Sequence, residues 1–163
     1  MKIRNTTHMA FVIGALLTTE DCFAALATNT FRVTATVTNV CTVSATDLAF
    51  GNYASSGRAV DSTNTVNVVC NSGTPYTITL STGNNTPTYT PRFMEAGGQH
   101  LSYNIYTDAA RTQIWGDGTG GTFRQRGTGN GVNQQFIGYG RIPLSQSLPA
   151  GNYADLITTT VTY

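Results

Sequence analysis

Charged residues are scarce in this sequence. Lysine and arginine together number 9 and aspartate and glutamate 8 among 163 residues, which leaves a formal net charge of +1. The single lysine, Lys2, lies at the very start of the chain. Because nucleic acids and anionic membrane surfaces attract basic stripes and basic amphipathic helices, this composition favours neither partner. We therefore expect no nucleic-acid partner.

The sequence also lacks an apolar run long enough to span a bilayer. The candidate, "AFVIGALL" at residues 10–17, is far below the length of about 20 residues that a spanning helix needs. It follows Lys2 and precedes small residues at Ala25 and Ala27, which is the arrangement of a secretory signal peptide. We predict a signal peptide over residues 1–27 and no membrane span after its removal. A buried N-terminal helix is the alternative.

Cysteine and histidine are equally sparse, with three and two residues respectively. Cys22 and His8 fall within the predicted signal peptide, which leaves Cys41, Cys70 and His100. In an exported protein two cysteines most simply form one disulfide, with two free buried thiols as the alternative. A single histidine does not favour a zinc site, so we expect no metal and no other cofactor.

No arrangement of residues indicates catalysis. His100 stands alone in a region expected to be a loop, without a serine or acidic partner at a recognisable spacing. Residues 116–121 match G-x-G-x-x-G, but no helix pattern follows them, as dinucleotide binding would require. The acidic residues are scattered singly, which is typical of turns and solvated surfaces. We expect that the protein is not an enzyme.

What the sequence does contain is alternation with a period of two residues, in runs rich in β-branched and aromatic side chains. The clearest runs are residues 31–37, 65–70, 75–81, 101–108, 134–144 and 156–163. Residues 71–74 are expected to form a hairpin-like turn, and residues 82–100 and 116–132 long loops, because of their glycines and prolines. Residues 39–163 are therefore predicted to fold as one all-β domain, a single immunoglobulin-like sandwich.

Aromatic residues near the two predicted loops raise the possibility of sugar binding. Trp115 is the candidate glycan contact, although aromatic residues of β-sandwiches more often belong to the core. A glycan-binding adhesin that uses residues 82–100 and 116–132 is therefore one alternative function.

Three stretches resemble the spore coat protein U domain family, which includes subunits of archaic, Csu-type chaperone–usher pili. They are "CTVSATDLAFGNY" at 41–53, "YNIYTDAARTQIWGDG" at 103–118 and "YGRIPLSQSLPAGNYADLITTTVTY" at 139–163. The resemblance implies a sandwich that is incomplete, because it lacks its last strand, and that is completed by donor-strand complementation from another chain.

The same resemblance implies partners, a location and a function. The partners would be a periplasmic chaperone, an outer-membrane usher and other pilus subunits in a homo- or hetero-polymer. The protein would be secreted, pass through the periplasm and end in a pilus at the cell surface. It would be a structural subunit that supports adhesion or biofilm formation. A non-polymerising coat or matrix protein of the same fold is the other alternative.

Two segments are expected to carry that function. Residues 28–38 are the candidate N-terminal donor strand, whose alternate apolar side chains would enter a neighbour's groove: Phe31, Val33, Ala35 and Val37. The last strand is expected to line the acceptor groove and to contact the chaperone through Ile157, Thr159, Val161 and Tyr163. Because few residues separate the donor segment from Cys41, pairing of residues 28–38 within their own domain is the alternative.

Overall fold

The computed structural model of the protein describes residues 24–55 and 57–163. The chain divides into two compact units, Met1–Thr36 and Val37–Tyr163. Residues 1–23 of the predicted signal peptide lie outside the described residues. In the described part of the first unit, residues 24–36, the backbone forms no strand and every residue is exposed.

The described residues of the second unit form eight β-strands. They are β1 (Cys41–Ala45), β2 (Val60–Cys70), β3 (Pro75–Leu80), β4 (Arg92–Ala96), β5 (Gln99–Tyr106), β6 (Gln125–Thr128), β7 (Gln134–Ile142) and β8 (Thr159–Thr162). One sheet has the order β1-β2-β7-β5-β4 and the other the order β6-β3-β8, with antiparallel pairing throughout. The predicted all-β, immunoglobulin-like fold is confirmed.

The core lies between the two sheets and follows the alternation of the sequence. Every second residue of β2, β3 and β5 points inward, where apolar area leaves water. The buried apolar residues are Val66, Val68, Cys70, Tyr76, Ile78, Leu80, Leu101, Tyr103, Ile105, Trp115 and Ile142.

The predicted hairpin across residues 71–74 is wrong, because β2 and β3 belong to different sheets. The turn carries the chain from one sheet to the other, and its Gly73 N–H donates to the carbonyl of Gly129 at 2.8 Å. Turn residues alone do not specify whether the two flanking strands pair with each other.

The predicted loop at residues 82–100 contains β4 and the start of β5. Gly97 and Gly98 both have positive φ angles, 56° and 77°, and form the two-residue turn of the β4–β5 hairpin. In the same way β6 lies within residues 116–132, so both expected loops are partly strand.

The expected disulfide between Cys41 and Cys70 is confirmed. These residues face each other as the first pair of the β1–β2 ladder, so the bond closes the end of that strand pair. In the described parts of the chain no helix is long and apolar enough to cross a membrane.

Candidate functional site

Strand β8 leaves one side of the smaller sheet unpaired. It pairs with β3 along one edge, and no described strand pairs with its other edge. Val161 lies opposite Ile78 in the ladder, so both side chains point inward. Ile78 is fully buried, whereas Val161 is only half-buried.

Strand β1 shows the same exposure on the facing sheet. Val43 lies opposite Val68 in the β1–β2 ladder and therefore points toward the interior. Val68 is 0% exposed, but Val43 is 40% exposed. The edge strands β1 and β8 lie near each other, and the inward side chains Val43 and Val161 both stay partly exposed there.

A groove lies between two further segments of the chain. Residues 45–55 form one side and residues 148–159 the other, around two adjoining cavities of about 580 and 390 Å³. The residues that line both cavities are Leu48, Phe50, Met94 and Tyr153. We call this feature the acceptor groove. Polar and apolar surface both line it, and the four side chains that the cavities share offer apolar contacts to an extended segment with alternate apolar side chains.

The first side of the groove is held above β2 and β7. The N–H of Thr46 donates to the carbonyl of Thr65 at 3.0 Å, and the hydroxyl of Ser62 donates to the carbonyl of Ala49 at 2.6 Å. Between these anchors Leu48 packs over Gly140, where a Cβ atom would lie 2.8 Å from its Cδ2. The absence of a side chain at Gly140 therefore makes room for this side of the groove.

Residues 153–159 of the second side pass from one sheet to the other. Ala154 exchanges two backbone hydrogen bonds with Glu95 of β4, at 2.9 and 3.2 Å. Four residues later Thr158 accepts from the N–H of Ser81, just after β3, at 2.9 Å. This segment, which we call the wall strand, is therefore hydrogen-bonded to both sheets, while its other side faces the groove.

The floor of the groove, which consists of core residues such as Tyr103 and Ile105, is hydrogen-bonded to the wall strand. The hydroxyl of Tyr103 donates to Oδ2 of Asp155 at 2.6 Å. Burial raises the pKa of Tyr103 well above its usual value, and the hydrogen bond to the Asp155 carboxylate raises it further. Tyr103 thus remains a neutral donor that ties the floor to the wall strand.

Arg92 anchors β4 beside the floor. It is 0% exposed, and its Nη2 donates to the carbonyls of Ser81 and Trp115 at 2.8 and 2.7 Å. The ring of Tyr89 covers the guanidinium at 5.2 Å, and burial lowers the pKa of Arg92. Nη1 has no hydrogen-bond partner among the described residues. The carbonyl contacts fix the β3–β4 connection against Trp115.

The predicted acceptor residues fall into two groups. Ile157 and Thr159 line the smaller cavity, whereas Val161 and Tyr163 lie beyond the cavity linings. Val161 packs half-buried against the core, and Tyr163 is 55% exposed. The roles of these residues in binding a strand stay predictions.

The predicted donor residues are exposed. Phe31, Val33 and Val37 are 86%, 82% and 87% exposed, and Ala35 is exposed as well. Large apolar side chains are seldom left in water at every second position of a segment. Their exposure is compatible with a donor role, which stays a prediction.

The glycan contact proposed for Trp115 is corrected by its burial. The side chain is 0% exposed, and its Nε1 donates to the carbonyl of Ile78 at 3.2 Å. A ring enclosed in the core offers no face on which a sugar could stack.

Sequence reasoning missed most of the groove. The first side lies in the stretch 41–53, which the resemblance singled out without giving a role to Leu48 or Phe50. Met94 lay in an expected loop. Asp155 is also a groove residue, and a single acidic residue in a strand gave no signal of it.

Two sheets packed around a core, with a groove beside the segment that leads into β8, define an immunoglobulin-like sandwich. The Spore Coat Protein U domain model matches residues 27–160. The chain belongs to this family.

The chain is also similar to "Protein U" of Myxococcus xanthus, with 32% identity over 178 aligned positions that cover 99% of this chain and 98% of that protein. Among solved structures it resembles a chain of the CsuC–CsuE chaperone–tip adhesion subunit pre-assembly complex from archaic chaperone–usher Csu pili of Acinetobacter baumannii. The TM-score is 0.60 at 23% identity, over 78% of this chain and 40% of that chain. This second likeness concerns the fold.

Proposed function

We propose that this protein is a structural subunit of a surface pilus, assembled by donor-strand exchange through a chaperone–usher pathway, and that the pilus supports adhesion or biofilm formation. The observation that carries the proposal is the acceptor groove, because it presents apolar side chains among polar ones next to the segment that leads into β8, and no described strand pairs with the outer edge of β8. Adding a strand there satisfies the edge through main-chain hydrogen bonds.

The donor would be residues 28–38 of another copy or of a related subunit. Phe31, Val33, Ala35 and Val37 point to one face of an extended strand, and all are exposed. Burying each of the larger side chains contributes roughly 1.5–3 kcal/mol, so the strand would contribute on the order of 5–9 kcal/mol before ordering costs. Alternation of the side chains would set the register.

Before a donor strand binds, another protein has to cover the groove and the unpaired edge of β8, since an exposed strand edge promotes aggregation. We therefore propose a periplasmic chaperone as the first partner and an outer-membrane usher as the site of exchange. The fold similarity to a chain of the Csu chaperone–subunit complex supports this route. The protein would pass through the periplasm and end at the cell surface.

Co-expression tests the proposal directly. The full chain would be produced with and without a cognate periplasmic chaperone, and the periplasmic extract would be fractionated. We expect a chaperone–subunit complex that yields SDS-resistant, heat-sensitive ladders when mixed with usher-bearing membranes. A durable monomer that forms without the chaperone and never yields ladders would contradict the proposal.

A non-polymerising coat protein is the second candidate. It is favoured by the full-length similarity to Protein U and by the description of the family itself. The two candidates differ in the ladder assay, because a coat protein of this fold would satisfy its own β8 edge and would assemble without strand exchange.

A further inference from the structure

The wall strand changes from one sheet to the other without a continuous backbone ladder. Its last bond to β4 is at Ala154, and its register with β3 starts at Thr159. Among the described residues between them, only Thr158 bonds to a neighbouring segment through its main chain: its carbonyl accepts from the N–H of Ser81 and its N–H donates to Oγ of Ser81, both at 2.9 Å. The segment 155–157 therefore depends on side chains to hold its path.

Asp155 supplies most of these bonds. Its Oδ1 accepts from the N–H of Asn84 at 2.9 Å, from Nδ2 of Asn85 at 3.1 Å and from the N–H of Leu156 at 2.9 Å. Its Oδ2 accepts from the hydroxyl of Tyr103 at 2.6 Å. One carboxylate thus joins the β3–β4 connection, the groove floor and the wall strand.

The surroundings of Asp155 are shaped to receive it. Gly83 has a φ angle of 99°, and a Cβ atom there would overlap the Asp155 carboxylate. Nδ2 of Asn85 also donates to the carbonyl of Ala154 at 3.0 Å, so this side-chain amide is hydrogen-bonded to the wall strand at both Ala154 and Asp155. Hydrogen bonds to an ionised acceptor are stronger than those between neutral groups.

We propose that Asp155 is a positioning residue that holds the wall strand straight across the change of sheet, so that its free edge can receive an incoming strand along its whole length. This inference rests on the proposed donor-strand function. Loss of the carboxylate frees residues 155–157, and the groove then has to be ordered by the donor at the moment of binding. The residue acts on strand capture more than on global stability.

The first test needs no donor. Hydrogen exchange would be followed at the amides of Asn84 and Leu156 in the full mature chain and in its Asp155→Ala variant. We expect exchange at these two amides to be about ten-fold faster in the variant, equivalent to about 1.4 kcal/mol of local opening. The amides of β2 and β7 should be unaffected. Unchanged exchange at Asn84 and Leu156 would overturn the proposal.

The second test measures capture of a peptide with the sequence of residues 28–38. Asp108 supplies a matched control, because its carboxylate caps the 108–113 turn through the N–H groups of Thr112 and Gln113 and does not line the groove. We expect Asp155→Ala to slow capture about ten-fold, and Asp108→Ala to leave it unchanged even where the melting temperatures fall equally. Asp155→Asn should restore part of the rate, since its carbonyl oxygen can still accept from main-chain N–H groups.

Equal effects of the two alanine variants on capture would overturn the positioning role. If the unaltered chain captures no peptide, the donor-strand function fails, whereas the exchange rates at Asn84 and Leu156 still decide whether Asp155 holds the wall strand.

Discussion

At the scale of single residues, Gly140 sets the depth of the acceptor groove. A Cβ atom at this position would lie 2.8 Å from Leu48 Cδ2 and from Phe50 Cζ, so both side chains must move toward the groove. We predict that Gly140→Ala lowers the free energy of unfolding by about 1–3 kcal/mol, as overpacking does. It should also slow capture of the donor peptide. Denaturant unfolding and peptide-binding kinetics provide the two measurements.

Gly151→Ala is the matched control for this prediction. Gly151 also lines the groove, but an added Cβ atom would meet Ala96 and Tyr153 at an ordinary 3.5 Å. This variant should retain both stability and capture. If both glycine variants behave alike, the depth of the groove does not depend on Gly140.

Asp61 gives the stability of the sheet a dependence on pH. Its carboxylate accepts from Nε and Nη2 of Arg141 at 2.7 and 2.8 Å, and Arg111 lies 3.2 Å away. The hydrogen bonds from Arg141 lower the pKa of Asp61, with a smaller contribution from the charge of Arg111. A lowered carboxyl pKa stabilises the fold above the usual aspartate pKa, and this stabilisation is lost as the pH falls through the lowered value.

We therefore predict that Asp61→Asn costs no more than about 1 kcal/mol at neutral pH, because the ion pair is partly exposed and screened by solvent. The difference in unfolding free energy from the unaltered chain should begin to shrink below about pH 4, where the Asp61 carboxylate of the unfolded chain binds protons, and should vanish once the folded carboxylate is protonated too. Urea unfolding at pH 7 and pH 3 measures it. A difference that stays constant over this range would contradict the assignment.

At the scale of secondary structure, the donor segment can be tested by its own alternation. Val33 and Val37 are on the face predicted to enter the groove, whereas Thr34 lies on the opposite face. We predict that Val33→Asp or Val37→Asp blocks assembly but permits chaperone binding, because a carboxylate would have to enter the groove of the next subunit unpaired. Ladder formation and co-purification report these two steps.

Thr34→Asp is the control for the donor strand, since it places the same charge on the solvent side. It should assemble nearly normally. Normal fibres from the Val33→Asp variant would remove the donor assignment altogether.

The same alternation explains how much of the fold the sequence could reveal. Residues 65–70, 75–81 and 134–144 read as strands because their inward residues meet the core regardless of which strand lies beside them. The sequence did not reveal the short strands β4 and β6, since the prolines and glycines that flank them also occur in loops. Strand pairing depends on contacts distant in sequence, which is why the turn at 71–74 was misjudged.

The groove was predicted only along one side for a related reason. Ile157 and Thr159, which line the smaller cavity, could be singled out because they belong to a strand with clear alternation. Leu48 and Phe50 lie in an irregular segment whose path depends on hydrogen bonds to β2 and on the space above Gly140. Their positions follow from packing in three dimensions, which no local pattern encodes.

At the scale of the whole molecule, the residues that would connect one subunit to the next are fixed to the body of the domain. Nδ2 of Asn71 donates to the carbonyl of Thr38 at 3.3 Å, and the main-chain N–H of Asn71 donates to the carbonyl of Val40 at 3.1 Å. The hydroxyl of Thr74 donates to Oδ1 of Asn39 at 3.1 Å. The joint formed by residues 38–40 therefore has little conformational freedom.

A joint fixed in this way should make a stiff fibre, because bending between subunits would have to break hydrogen bonds to the 71–74 turn. We predict that the double variant Asn71→Ala, Thr74→Val assembles but forms fibres of shorter persistence length in electron micrographs. Valine keeps the shape of the buried threonine, so the fold should be retained. Asn133→Ala removes a comparable side-chain hydrogen bond on the outer sheet face and should leave the stiffness unchanged. Equal stiffness of all three fibres would show that contacts other than the joint govern bending.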